Sequence, residues 1–560
     1  ASARHSVELI EIRDLDGPNL FLLEPAIKVE FRGDAADYDP SRLTPLRERL
    51  GLAESHGQTG LAACGAALCD AVVHLHDAAN LPKPVVTWER LETPGHIAVI
   101  FGWYHRRAAM KLASLLAALA LGETVDRDQR LAQIRDVAAT TDDDDEPLMV
   151  RDADRKIPII GITGTNGKTT TTRLTAHILR STGRYVGYCS SSGVHVGGEQ
   201  VLTGDYTGPS GALRVLHDPN VQVAVLETAR GGILLRGVAY ESDDVGVFTN
   251  LSADHLDLQG IRTLEGLLRV KSTVVRVTRS DGYAVLNADD DLVRSLANQL
   301  RARVFYISQD ASNPVLVEHI RAGGRALFVR NGEMIQACGQ DESPLIAVDA
   351  IPITLGGRAR HMVENALCAA AACLAVGLSE NEVRAGLETF SNDPEHNFGR
   401  LNIFKVNDVT VVVDFAHNEA GLRHLLALAH DLGDKNGRII SIIGTAGDRT
   451  DASLRAIGRI AADQSDRVYI KETAKYLRGR SNNDELNQRY VQGIETAQRT
   501  TPWSVEESEL AAVKTALQDA QTGDVIAMMC VELIPEVIAY LQELEAARTS
   551  TDRPQFGQPL

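Results

Sequence analysis

The stretch GITGTNGKTTTT, residues 161–172, decides how the middle of this chain folds. A lysine and a threonine follow a glycine turn here, and the apolar run IPIIGIT, residues 157–163, leads into it. The widespread phosphate-binding loop reads G-x-x-x-x-G-K-[ST], and Ile162 stands where that pattern has its first glycine. Strand, glycine turn and helix in this order still predict a loop whose backbone amides face an anion at a helix N-terminus. An ordinary glycine-rich turn between a strand and a helix is the alternative.

The residues of this loop have separate predicted roles. Gly164 and Gly167 let the backbone approach phosphate closely, and Lys168 reaches the β- and γ-phosphates. The hydroxyl of Thr169 holds Mg²⁺. The predicted nucleotide contacts are Gly164, Thr165, Asn166, Gly167, Lys168, Thr169 and Thr170.

The composition of the chain excludes several classes of protein. Its 560 residues are 44% hydrophobic and 24% charged, which predicts several ordinary globular domains. The net charge of −18 argues against non-specific binding to nucleic acid, which rests on lysine and arginine. Seven cysteines without a C-x-x-C pair predict neither a zinc site nor a disulfide framework, and they favour a cytoplasmic location. We find no apolar run near the length of a membrane span and no signal-peptide pattern, so no membrane partner is expected.

Changes in the pattern of apolar and charged residues along the chain predict the domain organisation. Residues 1–137 mix short strands and helices, which predicts a small α+β domain, and the acidic run in 138–156 predicts a solvated linker. Residues 157–398 contain the continuous apolar runs VAVLET, VGVFTN and YAVLN, typical of parallel strands buried on both faces. Residues 399–546 repeat this α/β pattern, and 547–560 are predicted to be a disordered tail.

Two side chains follow strands of the predicted central sheet. Glu227 closes VAVLET, and His255 comes shortly after VGVFTN. Ligands of open α/β sheets bind at the carboxyl ends of the strands, so we expect both side chains near Lys168 and Thr169. Taken alone, a histidine such as His255 is more often a loop residue in a structural hydrogen bond.

These motifs together resemble the Mur ligase family, which joins a carboxylate to an amine at the expense of ATP. The resemblance rests on GTNGKTT, the strand-end Glu227, N-x-x-x-D-H at 250–255 and the later Lys271. It implies ATP as the nucleotide with Mg²⁺. It also implies a P-loop parallel-sheet central domain, followed by a Rossmann-like C-terminal domain.

The resemblance also implies roles for residues outside the loop. Lys271 matches a lysine that many members carry as a carbamate, although a helix-surface lysine is the alternative. Asn365 in HMVENALCAAAA matches a residue that contacts adenine, Arg400 a nucleotide-binding arginine, and Asp414 a ribose-binding aspartate. The catalytic set it implies is Lys168, Glu227, His255 and Lys271, with Thr169, Glu227 and His255 as metal ligands.

Within that family, the chain is most similar to the Mur-like portion of the cyanophycin synthetases. LETARGGIL, ADHLDL and VVDFAHN carry this likeness, and the Asp16–Asn19 turn (DGPN) resembles part of their N-terminal domain. Those enzymes hold an ATP-grasp module between the two parts, and this chain has no room for one before Ile157. We therefore expect a single ligation step.

The acceptor side of the predicted active site rests on weaker signals. His417 and Asn418 follow Asp414 and are candidates for it, with a structural role for His417 as the alternative. Arg449, Arg478 and Arg480 are candidates to clamp an acceptor carboxylate, or equally to bind phosphate or form surface pairs. The Lys471–Tyr476 stretch (KETAKY) lacks an acidic run suited to a guanidinium, which favours an acceptor other than arginine.

The predicted function is an ATP-dependent ligase that joins a carboxylate-bearing small molecule or peptide to an amino-acid-like amine. A polyglutamate- or folate-type Mur ligase and a P-loop NTPase without ligase activity are the alternatives. A non-catalytic relative is disfavoured by the presence of Lys168, Glu227, His255 and Lys271 together. Whether the protein is a homo-oligomer is left open.

Overall fold

The computed structural model describes residues 8–33, 48, 61–140, 142–253, 259–434 and 436–551, with side chains up to residue 547. The chain divides into two compact units. The first lies within Ala1–Gly164, Gly183–Phe248 and Gln259–Phe305, and the second within Thr165–Thr182, Thr249–Leu258 and Tyr306–Leu560.

The N-terminal part of the first unit is an α+β fold. Its antiparallel sheet has the order β1-β2-β4-β3, and helices α1 and α2 pack on one face of it. Alternate residues of β2 and β4, such as Val29 and Val99, enter that core, as the period of two in a half-buried strand requires. The elements are β1 (Glu8–Leu15), β2 (Ala26–Arg32), α1 (Leu61–Ala78), β3 (Val86–Arg90), β4 (His96–Gly102), α2 (Arg106–Leu121) and α3 (Arg127–Ala138).

The DGPN turn, Asp16–Asn19, is a packing element within the first unit. The Asn19 side chain donates to the carbonyls of Gly17 and Glu24, which closes the turn. The amide of Val238 donates to the Pro18 carbonyl at 2.8 Å. A Cβ at Gly17 would stand 2.0 Å from the Val238 oxygen, so only glycine allows this close approach.

The acidic stretch after α3 is less solvated than the sequence predicts. Asp145 is 2% exposed, and its carboxylate accepts hydrogen bonds from both the backbone and the guanidinium of Arg107. These bonds hold the pKa of Asp145 at about 2, against the opposing effect of burial. A run of acidic residues in the sequence does not show which of them will be buried or which will pair with a cation. Here one of four consecutive aspartates, Asp145, is both buried and paired.

A seven-stranded run of one sheet forms the rest of the first unit, in the order β11-β10-β5-β9-β6-β7-β8. The neighbours β11-β10-β5-β9-β6 are parallel, whereas β7 and β8 extend the edge as antiparallel strands. Helices α2 and α3 lie between β4 and β5 in the chain. The elements of this part are β5 (Ile159–Thr163), β6 (Val186–Ser190), β7 (Gly193–Val196), β8 (Glu199–Thr203), α5 (Pro209–Leu216), β9 (Val223–Glu227), α6 (Arg230–Arg236), β10 (Val245–Phe248), α7 (Leu264–Arg276), β11 (Tyr283–Asn287) and α8 (Asp291–Arg294).

The second unit begins with the helix that follows the glycine loop and contains a second parallel sheet. That sheet has the order β16-β17-β21-β18-β19-β20, and β16 is its antiparallel strand. Strands β13, β14 and β15 pair antiparallel. The elements are α4 (Lys168–Ser181), β12 (Arg303–Ser308), α9 (Pro314–Arg321), β13 (Arg325–Arg330), β14 (Glu333–Cys338), β15 (Asp341–Ala347), α10 (Arg360–Ala375), α11 (Glu380–Glu388), α12 (Pro394–Asn397), β16 (Asn402–Val406), β17 (Val409–Asp414), α13 (Glu419–Leu432), β18 (Ile439–Ile443), α14 (Asp451–Gln464), β19 (Arg467–Lys471), α15 (Asn483–Glu495), β20 (Trp503–Glu506), α16 (Glu509–Asp519), β21 (Val525–Met529) and α17 (Ile534–Thr551); β12 spans the division between the units.

The fold-class prediction is confirmed, and three expectations need correction. The sheets are mixed rather than purely parallel, because β7, β8 and β13–β15 are antiparallel. The predicted tail at 547–560 begins inside α17, which reaches Thr551, and residues 552–560 lie outside the described part of the chain. Helix α1 has the length and hydropathy of a membrane span, contrary to our expectation, but half of it is buried, and it packs in the core described above.

Candidate functional site

The glycine loop joins β5 to α4 and points its backbone at the start of that helix. Gly164 and Gly167 have φ angles of 145° and 83°, in the region that favours glycine. Gly167 is the N-cap of α4, and a Cβ there would stand 2.0 Å from the Asn365 Oδ1 atom. The loop therefore depends on both glycines, and the first amides of α4 have no carbonyl partner within the helix, a geometry that suits an anion.

Two residues of the loop are held in place by the segment after β10. The amides of Thr165 and Asn166 donate to the backbone oxygen and the side-chain oxygen of Asn250, at 2.8 and 3.0 Å. The Asn250 amide donates in return to the Asn166 carbonyl and to Glu364 on α10. Asn250 therefore links the loop to α10, a role that we did not predict although it is the first residue of the N-x-x-x-D-H motif.

The two residues with predicted phosphate and metal roles open α4. The Lys168 ammonium donates to the Thr165 carbonyl at 2.8 Å, which bends the side chain back over the loop. Thr169 is 5% exposed, and the Arg400 guanidinium donates to its hydroxyl at 3.5 Å. Lys168, Thr169 and Arg400 thus lie on one small surface, as the prediction requires.

A cavity of ≈ 90 Å³ within the second unit begins at this surface. It is lined by residues 165–170 and Asn250, by the start of α10, by 400–401 and by 414–425 in part. The structure thus brings Asn365, Arg400 and Asp414 together with the loop. Distant parts of the sequence meet here, among them the four parts that we predicted to bind nucleotide: the loop, Asn365, Arg400 and Asp414.

Asn365, Arg400 and Asp414 are each fixed by neighbours. Asn365 is 2% exposed and accepts a 3.5 Å hydrogen bond from the Thr171 hydroxyl. Arg400 stacks over the Phe415 ring at 4.0 Å. Asp414 accepts a hydrogen bond from the Leu401 amide, and burial raises the pKa of Asp414 against the opposing charge of Arg400.

The acceptor-side candidates next to Asp414 have structural partners. Asn418 is the N-cap of α13 and also donates to the Asn166 side chain at 3.1 Å, so it ties this helix to the glycine loop. His417 contacts its own chain through Nδ1 and the Phe415 carbonyl, at 2.9 Å. His417 lines the cavity, and contact of either residue with substrate stays a prediction.

The three candidate arginines contact other residues of the C-terminal part. Arg478 pairs with Asp448 at 2.7 Å, and Arg480 pairs with Asp451 and Glu485. Arg449 is 5% exposed, and its carbonyl accepts a hydrogen bond from Arg480. Of the two interpretations left open, the structure favours ion pairing for Arg478 and Arg480.

Glu227 and Lys271 belong to the first unit. Glu227 ends β9, is 2% exposed and accepts a 3.3 Å hydrogen bond from the Ser191 amide. Lys271 is 5% exposed, and its ammonium donates to the Gly164 carbonyl at 2.6 Å. A helix-surface lysine is therefore excluded, and Lys271 lies against the glycine loop. His255 lies outside the described residues, as does the whole segment 254–258.

No cluster of three His, Cys, Asp or Glu side chains that could hold a metal occurs in the part of the chain that the structure describes. The predicted metal set of Thr169, Glu227 and His255 stays a prediction. It draws on both units and on one residue outside the described ranges.

The Lys271 prediction has a direct biochemical test. If Lys271 carries a carbamate, Lys271→Ala and Lys271→Arg both lose activity by about 10²-fold, because neither supplies an anionic oxygen to the site. Depletion of carbon dioxide then lowers wild-type activity, and added bicarbonate restores it. Full activity of the wild type without carbon dioxide contradicts the carbamate.

A pair of histidines in the cavity was missed by the sequence analysis. The rings of His361 on α10 and His424 on α13 are parallel within 2°, with centroids 5.1 Å apart. Burial lowers the pKa of His361 to about 3 and also lowers that of His424. Their separation in the chain leaves no sequence signal for the pair beyond the histidine that opens HMVENALCAAAA.

The depressed pKa of His361 predicts how acid acts on stability. A histidine that is neutral when folded, with an unfolded value of 6.5, stabilises the fold fully above that pH. Its contribution is lost as the pH falls from 6.5 towards 3. Between pH 7 and pH 5, His361→Phe therefore loses less unfolding free energy than the wild type, as urea titrations at each pH can measure. Equal losses would contradict a neutral buried imidazole.

A second cavity, of ≈ 300 Å³, lies within the first unit. It opens on the sheet face that carries Lys28 and Glu30, and α6 and α7 supply its other side. Its charged residues pair with one another: Lys28 with Glu11 and Glu30, and Arg269 with Glu89. The lining is therefore rich in charges of both signs beside apolar residues.

The fold and the site define a class of protein: an α/β protein with a P-loop-like turn, whose loop shares a cavity with the other candidate nucleotide-binding residues. Two family models match the chain, "Mur ligase middle domain" over residues 162–373 and "Mur ligase, glutamate ligase domain" over 399–530. The chain belongs to the Mur ligase family, and our recognition of that family is confirmed.

Individual relatives show how far the likeness reaches. The cyanophycin synthetase of Crocosphaera subtropica is 40% identical over 392 residues, which are 70% of this chain and 44% of that protein. The chain thus spans less than half the length of this relative. The UDP-N-acetylmuramoyl-L-alanyl-D-glutamate–2,6-diaminopimelate ligase 1 of Clostridium acetobutylicum is 30% identical over 67% of this chain and 72% of its own length. The structure of E. coli FolC with DHPP and ADP has a TM-score of 0.51 at 21% identity, over 70% of this chain and 89% of FolC.

Proposed function

We propose that this protein is an ATP-dependent ligase that joins a carboxylate to the amine of an amino acid or a similar acceptor. One observation carries the proposal: the cavity of the second unit unites the P-loop with Arg400 and Asp414 from the C-terminal part. Relatives in the same family are named as ligases, among them the cyanophycin synthetase and the diaminopimelate ligase described above.

The chemistry follows from the poor reactivity of a carboxylate towards an amine in water. Transfer of the γ-phosphoryl group of ATP to a carboxylate oxygen gives an acyl phosphate and ADP. The amine then attacks the acyl carbon, a tetrahedral intermediate forms, and inorganic phosphate leaves as the amide is made. Phosphoryl transfer depends mainly on positioning and charge neutralisation. Lys168 and the amides of the α4 N-terminus provide both.

The remaining nucleotide contacts belong to the C-terminal part of the cavity. Arg400, held flat on Phe415, places a cation next to Thr169. Asp414 is a candidate acceptor for the ribose hydroxyls, since its carboxylate borders the same cavity. These roles agree with what the family resemblance implies.

A divalent cation suits the oxygen donors of the predicted metal set. The Thr169 hydroxyl and the Glu227 carboxylate are ligands that Mg²⁺ prefers. A bifunctional folylpolyglutamate synthase/dihydrofolate synthase of similar fold has been seen with Mn, AMPPNP and L-glutamate. When bound, such an ion neutralises charge on the phosphates. We propose Mg²⁺, with the Thr169 hydroxyl as a protein ligand in the second unit.

The charged residues of the larger cavity and of the C-terminal part restrict the classes of donor and acceptor that we propose. Paired charges of both signs line the larger cavity, which suits a donor that itself carries both signs, such as a short peptide. On the acceptor side, Glu472 bonds to Asn487, and Glu532 accepts from Thr473 and the amides of the following residues. With these carboxylates engaged, we propose an acceptor other than arginine.

The proposal is tested by phosphate release from ATP. Each of the twenty amino acids is combined with short acidic and β-linked peptides, and products are identified by mass. Release that requires both a donor and an acceptor, with the mass of a new amide, is the expected result. Release with ATP alone would instead identify an NTPase, and arginine as the best acceptor would overturn the acceptor proposal.

A further inference from the structure

The stacked histidines lie on the wall of the nucleotide cavity. His361 stands at the beginning of α10 and His424 in the middle of α13, and both line the cavity that contains the glycine loop. The chain thus places two planar rings, from segments far apart in sequence, beside a predicted phosphate site. The interplanar angle of 2° and the centroid distance of 5.1 Å show that the two rings are stacked face to face.

His424 is accessible to solvent and crowded by protein at the same time. His424 is exposed to solvent, yet the surrounding atoms desolvate the ring enough to lower its pKa. His424 also lines the cavity, so its ring has protein on one side and space that a ligand can enter on the other. Because both imidazoles are neutral at neutral pH, they present uncharged aromatic surface.

The other candidates for contact with a base have their surfaces engaged. Asn365 touches Gly167 of the loop, accepts from Thr171 and donates to the Met362 sulfur at 3.5 Å. These contacts place its amide against the phosphate loop. The Phe415 ring is covered by the Arg400 guanidinium. The His417 ring also lines the cavity, but it packs edge-on against Phe415 and bonds to the Phe415 carbonyl. His361 and His424 instead offer a stacked pair of rings to a planar ligand.

We propose that the base of the bound nucleotide stacks on His424, with His361 behind it as support, and that this contact favours a purine over a pyrimidine. Stacking of a base on an aromatic side chain accepts any base, but it strengthens with the area of the overlapping rings. The inference rests on the proposed function, since it assigns a further residue to the same nucleotide.

Binding measurements with two ligands separate this role from a structural one. Titration calorimetry with ATP and with inorganic tripolyphosphate compares a ligand that has a base with one that has none. We expect His424→Ala to weaken ATP about tenfold and to leave tripolyphosphate unchanged, because only the stacking contact is lost. His424→Phe restores ATP binding to within a few-fold, and wild-type protein binds CTP more weakly than ATP.

His430→Ala is the matched control, since this histidine lies on the same helix, is exposed and does not line the cavity. It should bind ATP as the wild type does. A His424→Ala protein that binds ATP normally, or that weakens ATP and tripolyphosphate equally, overturns the stacking role. If the wild type does not bind ATP at all, the proposed function fails, and this inference with it. Thermal midpoints of all variants show whether the fold has changed.

Discussion

Lys168→Ala loses ligase activity by at least about 10²–10³-fold while the protein stays folded. The Lys168 ammonium is the one cation of the predicted loop, and it lies over that loop through its 2.8 Å contact with the Thr165 carbonyl. Charge that develops on a transferring phosphoryl group is stabilised by such a preorganised cation, and the loss of one comparable donor costs this much. The measurement is the rate of acceptor-dependent phosphate release.

Two controls accompany Lys168→Ala. Lys111→Ala removes an exposed lysine of α2 and should leave the rate unchanged, which excludes a general effect of net charge. Lys168→Arg keeps a cation but changes its shape, so it should recover only part of the activity. If Lys168→Ala kept most of its activity, the loop would have no part in the reaction, and the ligase proposal would be contradicted.

Glu509→Ala lowers the free energy of unfolding by about 3–5 kcal/mol, the usual cost of leaving a buried charge without its partner. Glu509 and Lys471 form a 2.7 Å ion pair whose side chains are 1% and 0% exposed. Glu509 also accepts hydrogen bonds from the amides of Val531 and Leu533. Burial alone would raise the pKa of Glu509, but the Lys471 ammonium and these amides hold it below its ordinary value.

Urea denaturation measures this effect, and two further variants interpret it. The double variant Lys471→Met/Glu509→Leu should recover much of the loss, because it removes both buried charges together. Arg499→Ala breaks an ion pair with Asp466 whose side chains are 50% and 37% exposed, and it should cost no more than about 1 kcal/mol. If Glu509→Ala were as stable as Arg499→Ala, the result would contradict an ion pair between Lys471 and Glu509 that is shielded from water.

Sequence patterns were reliable where one local rule governs the structure. The run that ends at Thr163 is a buried strand, and a helix begins at Lys168, as the glycine turn between them requires. The apolar runs around Val225 and Val412 became buried strands with parallel neighbours, because strands covered on both faces need apolar residues at every position.

The same rules failed where partners come from outside the segment. Strand β8, EQVLT, is mostly exposed and has no apolar run to reveal it; its pairing with β7 makes it a strand. Asp145 looked like one more solvated acid until Arg107 was seen to hold it. His424 is an ordinary helix residue in sequence, and only the packing of α13 brings it to His361.

The amino-acid sequence by itself determined the family, the phosphate loop and the candidate nucleotide residues, because these depend on short motifs with strict backbone and side-chain requirements. Only the tertiary structure decided that Asn250 clamps the loop, that Lys271 is buried against Gly164, and that two histidines form a wall beside the loop. The physical reason is that hydrogen bonding, burial and stacking are properties of pairs. A sequence shows the members of each pair separately, and folding selects which of them meet.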